Sequence, residues 1–323
     1  MTTTARARVV ALIAGQGAGD INQTASRFAV HGTDLGIMWR DSRGRVAIAF
    51  GDTYGEGWGG RGAGPGTADW RFNTLAFASD ADLSGGLTID SMVTDRPGHA
   101  KQLLAGDPTV PEVTVIPTAA VSIGSRDFLH YMSVRSWGTG GEWATNYAGL
   151  AYSDDGGQTW VKTAFRWPTG FQLGAFVRHE GRVYLFGTPN GRLGDASVAR
   201  VPEAAVGSPG AYRYWTGAGW EAAADRAAPV MNGPVGELSV QYNTVTRQWV
   251  ALYLDEHRAA IVLRTAPSPT GPWTGGQVVV DGARHPGLYG GFLHPDSAHS
   301  PELHFAMSEW DPYHVQLMAL PLT

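Results

Sequence analysis

The sequence predicts an all-β protein, a five-bladed β-propeller formed as a single domain by residues 1–323. Three observations lead to this fold class. Sustained helical periodicity is missing, and short alternating apolar runs are broken by glycine, proline, aspartate and asparagine instead. Five of these runs share one layout, which is the mark of a repeat protein. One turn also carries a sequence that is typical of propeller hairpins.

Each of the five runs combines a small or glycine-rich start, a strand, a polar turn and a second strand. Two-stranded units that recur every 40–50 residues or so are typical of four-stranded propeller blades, whose first strand lines a central channel. The chain ends are expected to complete one blade together, because the apolar strand Val9–Ile13 can pair beside the closing strand Val315–Leu320. The five segments are Asp34–Phe50, Pro117–Val134, Gln172–Phe186, Gly236–Leu254 and Tyr289–Met307.

The turn Ser153–Trp160 reads S-x-D-x-G-x-T-W, the Asp-box pattern found in sialidases and other propellers. Its physics is local, because Asp155 can accept backbone N–H groups in the turn and the glycines allow positive φ angles. A degenerate relative, Ser268–Trp273, falls at the matching turn of the fourth blade. The pattern therefore predicts a blade hairpin and is weak as a sign of function.

Composition excludes several classes of function. The chain has no cysteine, which rules out disulfides and Cys-ligated zinc, and its ten histidines show no metal-ligand spacing. The net charge of −5 and the lack of basic runs argue against nucleic-acid binding. No apolar run approaches the roughly 20 residues of a membrane span, and Val9–Ala14 is too short for a signal segment. We therefore predict no metal, cofactor, nucleic acid or membrane partner, and the sequence defines no oligomeric state.

Charged residues make up 16% of the chain, and 12 tryptophans accompany them. Planar apolar faces with few charges suit neutral sugars, although tryptophan is also ordinary core material. Trp58, Trp137 and Trp310 fall in loops near strand ends, where an aromatic ring can stack on a sugar.

Two acids of the first blade are the leading catalytic candidates. Asp34 lies at the start of the innermost strand, and Asp52 follows the end of its antiparallel partner, so both carboxylates are expected at one channel mouth. Paired carboxylates are the equipment of glycoside hydrolysis, one as acid and the other as base or nucleophile. Either residue could instead only cap a local turn.

Further polar residues are candidates at the same mouth. Glu237 begins the fourth innermost strand, and Glu309 follows the last hairpin, although both could be rim acids. Arg71 and Asn73 are expected on one face of a strand, where they could donate to sugar hydroxyls. A buried structural role is the alternative for Arg71.

Six motifs that occur in order resemble an actinobacterial family, once catalogued only as a domain of unknown function, that contains endo-D-arabinanases. The similarity extends from about Asn22 to Met318, nearly the whole chain. The motifs are Gly32-Thr33-Asp34-Leu35-Gly36, Phe50-Gly51-Asp52-Thr53, Trp70-Arg71-x-Asn73, Ile116-Pro117-Thr118, Gly236-Glu237-Leu238-Ser239-Val240-Gln241-Tyr242-Asn243 and Ser308-x-Trp310-x-Pro312-Tyr313-x-Val315.

The resemblance implies a five-bladed propeller that cleaves internal α-linked D-arabinofuranosyl bonds in mycobacterial arabinogalactan and lipoarabinomannan. It places the catalytic carboxylates on Asp34 and Asp52, in agreement with the order of the candidates above. An endo-acting enzyme needs an open groove, which we expect aromatic side chains such as Trp310 to line. Substrate hydroxyls are expected to meet Arg71, Asn73, Glu237 and Tyr313.

The polymer named by this resemblance implies a secreted protein or one that acts on the cell wall. Two other classes remain open at this point. A carbohydrate-binding propeller would keep the aromatic mouth without catalysis. A sialidase-like exo-glycosidase would share the Asp box but needs six blades and an arginine triad, and five repeats argue against it.

Overall fold

The computed structural model describes residues 5–322, in which short antiparallel strands are the main secondary structure. The chain begins with strand β1 (Arg8–Ala14) and a short helix α1 (Thr24–Phe28). Eight strands follow: β2 (Leu35–Arg40), β3 (Val46–Phe50), β4 (Thr53–Tyr54), β5 (Trp70–Arg71), β6 (Thr74–Ala78), β7 (Ser91–Met92), β8 (Thr94–Arg96) and β9 (His99–Ala100). Strands β2-β3-β6-β7 form the first four-stranded sheet, and β4-β5 and β8-β9 form two small hairpins beside it.

The second and third sheets occupy the middle of the chain. The second contains β10 (Thr114–Ile123), β11 (Arg126–Trp137), β12 (Trp143–Ser153) and β13 (Val161–Trp167). The third contains β14 (Leu173–His179), β15 (Arg182–Thr188), β16 (Ala196–Pro202), β17 (Arg213–Trp215), β18 (Trp220–Glu221) and β19 (Pro229–Met231). Three 3₁₀ turns lie after β16: Glu203–Ala205, Pro209–Ala211 and Ala224–Arg226. This sheet thus has six strands where the repeat predicted four.

The fourth and fifth sheets complete the molecule. The fourth contains β20 (Leu238–Asn243), β21 (Gln248–Asp255), β22 (Ala260–Ala266) and β23 (Gln277–Asp281). The fifth contains β24 (Leu288–Leu293), β25 (Glu302–Glu309) and β26 (His314–Pro321), with the 3₁₀ turn Pro295–His299 between β24 and β25. Strand β1 pairs antiparallel with β26 on the outer edge of this sheet.

The first strand of each sheet packs against the first strands of its two neighbours, in the cyclic order β2, β10, β14, β20, β24 and back to β2. The five sheets are therefore five blades of one ring, and the predicted propeller is confirmed. All five predicted segments form the inner hairpins of the blades, and the predicted pairing of the chain ends is also confirmed.

The core lies between the blades, where sheets face each other. Strand β3 shows the consequence, because all five of its residues, Val46 to Phe50, are buried. Each face of such a strand meets a neighbouring blade, so the chain needs apolar side chains on both faces. In the Asp-box turn, Asp155 accepts hydrogen bonds from the N–H groups of Gln158 and Thr159, both at 2.9 Å, which confirms its structural role. Among residues 5–322 no helix is long and apolar enough to cross a bilayer.

Candidate active site

One mouth of the central channel opens into a cavity of about 520 Å³. The first residues of three innermost strands, Leu35, Leu173 and Leu238, lie in its wall. Charged and aromatic side chains from all five blades surround it. They include Asp34, Asp52, Trp137, Trp143, Arg192, Glu237, Tyr289, Trp310 and Tyr313.

The first hairpin places two aspartates at this cavity. Leu35 at the start of β2 pairs with Phe50 at the end of β3. Asp34, which precedes Leu35, and Asp52, which is the second residue after Phe50, therefore reach the same edge of the sheet. The Gly51 N–H donates to the Asp34 carbonyl over 3.2 Å. A Cβ atom at residue 51 would lie 2.3 Å from Asp34 Oδ1, so glycine there leaves room for the carboxylate. The structure thus brings Asp34 and Asp52 together, as the sequence predicted.

Asp34 holds its carboxyl group between the cavity and a buried tyrosine. The Tyr289 hydroxyl donates to Asp34 Oδ2 over 2.9 Å, while Oδ1 is buried and has no hydrogen-bond partner among residues 5–322. Burial raises the pKa of Asp34 to about 8, helped by the charges of Asp52 and Glu237, while the hydroxyl groups of Tyr289 and Tyr313 oppose the rise. The group is therefore a carboxylic acid at neutral pH.

The carboxyl group of Asp52 accepts more hydrogen bonds from the protein than that of Asp34 does. Its Oδ1 accepts hydrogen bonds from Trp70 Nε1 at 2.9 Å and Thr114 Oγ1 at 2.6 Å. Burial raises its pKa to about 6, and the bonds from Thr114 and Trp70 limit that rise because they favour the ionised form. Two neighbouring carboxyl groups with separated pKa values are the arrangement that acid–base chemistry on a glycosidic bond requires.

Glu237 lies at the cavity as predicted, directly before β20, just as Asp34 lies directly before β2. Its carboxylate is held by Arg192, whose Nε lies 3.0 Å from Oε1 and 3.1 Å from Oε2 and whose Nη2 lies 2.8 Å from Oε1. Sequence spacing gave no sign of Arg192, which lies in the loop between β15 and β16.

Tyr313 and Trp310 reach the cavity from the turn between β25 and β26, as predicted. Tyr313 is buried, whereas Trp310 is 50% exposed, and their rings meet edge to face at 5.6 Å. Across the cavity Trp137 is 49% exposed and packs edge to face on Trp143 at 5.8 Å. Exposed indole faces thus lie at two separate parts of the rim.

Two predicted substrate contacts are corrected by the structure. Arg71 is buried away from the cavity, and its guanidinium donates to the carbonyls of Ala29 and Ala100. The structural alternative for this arginine is the one that the molecule adopts.

Asn73 is also fully buried outside the cavity, in the link between β5 and β6. Its side-chain amide donates to the carbonyls of Leu104 and Val115 and accepts from the N–H groups of Leu103 and Leu104. With two donors and two acceptors engaged, the side chain has nothing left to offer a ligand.

Two further candidates also lie elsewhere. Glu309 does not line the cavity and instead binds His285 Nδ1 at 2.6 Å and His314 Nε2 at 3.1 Å. Trp58 is buried against Tyr54 and Tyr313, so its ring supports the cavity wall from behind. Trp137 and Trp310 are the candidates that keep an exposed face.

Tyr289 is a site residue that sequence reasoning passed over, although a positional signal existed. It lies at the start of the fifth innermost strand, where Asp34 and Glu237 lie in the first and fourth. Thr114, which fixes Asp52, lies at the start of the second innermost strand. The starts of the inner strands thus supply Asp34, Glu237 and Tyr289 to the polar wall.

Fold and site together define a five-bladed propeller with a carboxylate pair at the channel mouth. Residues 19–319 match a sequence family described as "Domain of unknown function (DUF4185)", and the chain belongs to this family. Two curated fungal relatives cover most of the chain. Notoamide biosynthesis cluster protein J of Aspergillus sp. (strain MF297-2) is 28% identical over 90% of this chain and 83% of its own length. Protein J' of Aspergillus versicolor is 30% identical over 90% and 84%.

Solved structures share the fold at low sequence identity. A Bacteroides ovatus protein superposes with a TM-score of 0.67 at 14% identity, over 92% of this chain and 87% of its own. A family 117 glycoside hydrolase of the marine bacterium Zobellia galactanivorans gives 0.57 at 12%, over 99% and 91%. The α-L-arabinofuranosidase of Podospora anserina gives 0.53 at 11%, over 99% and 98%. The propeller is therefore one that glycoside hydrolases also use.

Proposed function

We propose that this protein is a glycoside hydrolase that cleaves internal α-D-arabinofuranosyl linkages of mycobacterial arabinogalactan and lipoarabinomannan. The observation that carries the proposal is the pairing of Asp34 and Asp52 at one cavity, with pKa values of about 8 and about 6. The six motifs that resemble endo-D-arabinanases support the substrate. The fold shared with glycoside hydrolases supports the class of reaction.

The roles of the two acids follow from their surroundings. Asp34 is protonated at neutral pH and lines the cavity, where its carboxyl group can give a proton to the leaving oxygen. Asp52 is largely ionised, and one of its oxygens, Oδ2, is free of the bonds from Trp70 and Thr114. In a retaining reaction that carboxylate attacks the anomeric carbon, and in the second step Asp34 takes the proton of the water that releases the sugar. In an inverting reaction Asp52 takes the proton of the attacking water in a single step, and both groups return to their starting states by proton exchange with solvent.

The aromatic rim supports internal cleavage of a chain. Trp310 and Trp137 expose half of their surface at different parts of the mouth, so sugar rings can stack on both sides of the carboxylate pair. A polymer held at two places presents an internal bond to the acids. Because such a polymer cannot enter a cell, we also propose that the protein acts on the cell wall from outside the cytoplasm.

A carbohydrate-binding propeller without catalysis is the second candidate, since exposed tryptophans serve a binding protein equally well. The sialidase-like alternative is not favoured, because the described chain forms five blades and that fold needs six.

Incubation of the protein with mycobacterial arabinogalactan, followed by thin-layer chromatography, tests the proposal. A ladder of arabino-oligosaccharides is the expected product. Release of single sugars alone would indicate exo-cleavage and contradict internal cleavage. If the polymer stays intact but isothermal titration calorimetry shows that it binds, the protein is instead a carbohydrate-binding protein.

A further inference from the structure

Arg192 connects the two acidic sides of the cavity. Its guanidinium forms the fork on Glu237 described above, and Nη1 lies 3.5 Å from Glu256 Oε2. The same group lies over the ring of Tyr289, with 5.2 Å from Cζ to the ring centroid, and 5.9 Å from that of Trp143. One cation therefore contacts a carboxylate and the aromatic ring whose hydroxyl donates to Asp34.

The pair of Arg192 and Glu237 is well shielded, with side-chain exposures of 22% and 8%. A buried ion pair of this kind contributes little net stability, because desolvation offsets the attraction between the charges. Removal of one partner is nevertheless costly, because the other charge is left unpaired in a medium of low dielectric constant. The ion pair is therefore better suited to fixing the position and charge of these side chains than to stabilising the fold.

The backbone of Arg192 is fixed as well. Its N–H donates to the carbonyl of Gly141 over 2.9 Å, in the turn between β11 and β12 that carries Trp137 and Trp143. A Cβ atom on Gly141 would meet Glu256 at 3.1 Å and Arg192 at 3.2 Å. The side chain is thus held from two blades before it reaches the acids.

We propose that Arg192 is a positioning residue of the catalytic site, which neutralises Glu237 and fixes Tyr289 so that Asp34 can release the proton it must donate. This inference rests on the hydrolase proposed above for its role in turnover. The charged and titratable groups that face Asp34 are Asp52, Glu237, Tyr54, Tyr289 and Tyr313. Those that face Arg192 are Glu237, Glu256 and Tyr289.

The proposal predicts that two single variants shift the pKa of Asp34 in opposite directions. In Arg192→Gln the charge of Glu237 is uncompensated, so the pKa of Asp34 is expected to rise by about one pH unit. In Glu237→Gln the guanidinium keeps only Glu256 as a counter-charge, so the surroundings of Asp34 become less negative and its pKa is expected to fall by a similar amount, about one unit. The double variant Arg192→Gln/Glu237→Gln removes both charges and is expected to return near the wild-type value. Arg126→Gln, which removes an exposed partner of Asp154, is the matched control and leaves the pKa unchanged.

The readout is an NMR titration of protein labelled with ¹³C at the aspartate carboxyl carbons, with the Asp34 signal assigned by its loss in Asp34→Asn. Displacements of opposite sign in the single variants support the proposal. Equal titrations in all variants, or shifts of one sign, overturn it, because a merely structural arginine predicts no sign reversal. If Arg192→Gln does not fold, Arg192→Lys, which keeps the charge, must titrate closer to wild type than Glu237→Gln does.

The alkaline limb of the pH–rate profile on arabinan gives the second readout and should move with the NMR values. An inactive wild-type protein whose Asp34 still shows the opposite shifts would contradict the proposed hydrolase and leave the charge network intact. An active protein without those shifts would contradict the role of Arg192 alone.

Discussion

The carboxyl group of Asp34 makes folding stability depend on pH. Its pKa is 3.8 in the reference state and about 8 in the folded protein, with burial as the main cause. Because the folded value is the higher one, the stability that this proton contributes is complete below pH 3.8 and is lost as the pH rises through about 8. The site thus loses stability under alkaline conditions in order to keep an acid at neutral pH.

Asp34→Asn should therefore stabilise the folded protein at alkaline pH. Between pH 5 and pH 9 its advantage over wild type should grow by about 1–2 kcal/mol, a figure reduced to allow for the side of Asp34 that is open to the cavity. Urea denaturation at both pH values measures the difference. Asp225→Asn, the same change at an exposed position, should show no such growth. A pH-independent difference for Asp34→Asn would mean that Asp34 is not an acid at neutral pH.

At the residue scale the sequence predicted the positions that follow from hairpin register. Asp34 and Asp52 flank the ends of one hairpin, so their meeting needs only the pairing of β2 with β3. Arg71 and Asn73 were misassigned because their partners, Ala100, Leu104 and Val115, lie 29 to 42 residues further along the chain, a distance over which no local pattern predicts contacts. Arg192 was missed for the same reason.

At the scale of the element, the turn between β12 and β13 is held by one aspartate. Asp155 Oδ1 also accepts from Ser153 Oγ at 2.8 Å, and Thr159 Oγ1 donates to Oδ2 at 2.6 Å. Burial acts to raise the pKa of Asp155, but the hydrogen bonds from Thr159, Ser153 and Gln158 together outweigh this effect and lower the pKa to about 2. The turn is therefore one hydrogen-bonded unit.

Asp155→Ala should lower the free energy of unfolding by about 1–2 kcal/mol, because the two N–H groups of residues 158 and 159 lose their acceptor. Hydrolysis of arabinan should be unaffected, since the turn does not line the cavity. Denaturant unfolding and the chromatographic assay check the two halves of this prediction. Asp154→Ala is the matched control, because its pair with Arg126 is exposed and contributes little. Equal decreases in the free energy of unfolding in the two variants would contradict a specific structural role for Asp155.

At the scale of the whole molecule, closure of the ring rests on β1. Strand β1 supplies the outer edge of the fifth blade, and its register with β26 runs from Arg8 opposite Ala319 to Ala14 opposite Val315. Ile13 is fully buried in the core, whereas Val9 on the same strand is 46% exposed. The two residues lie in the same strand and differ in burial, so variants at these positions distinguish the effect of burial from that of strand pairing.

Ile13→Ala should lower the free energy of unfolding by about 2–5 kcal/mol, because a cavity remains between the fifth blade and its neighbour. Val9→Ala should change it by less than about 0.5 kcal/mol. Urea unfolding followed by tryptophan fluorescence measures both. A small effect of Ile13→Ala would mean that the ring stays closed without the packing of β1.

The sequence predicted this closure because the apolar ends of the chain needed a partner and the five hairpins left one outer edge open. It did not predict the short strands β17, β18 and β19, which give the third sheet six strands. They are two or three residues long and are separated by short turns rich in alanine, glycine and proline, so they show no period that could be recognised. β17 and β19 pair with β16, and β18 pairs with β17, so this pairing depends on the existing sheet rather than on local propensity.

The central claim is that Asp34 and Asp52 are the catalytic pair of an arabinan hydrolase, and the turnover of carboxamide variants tests it most directly. Initial rates on arabinogalactan should fall by about 10²–10⁴-fold in Asp34→Asn and at least as much in Asp52→Asn, because an amide neither transfers the proton nor attacks carbon. Asp225→Asn should keep the wild-type rate, and Glu237→Gln should lose less than either member of the pair. Loss of activity in Glu237→Gln while Asp34→Asn or Asp52→Asn remains active would contradict the account.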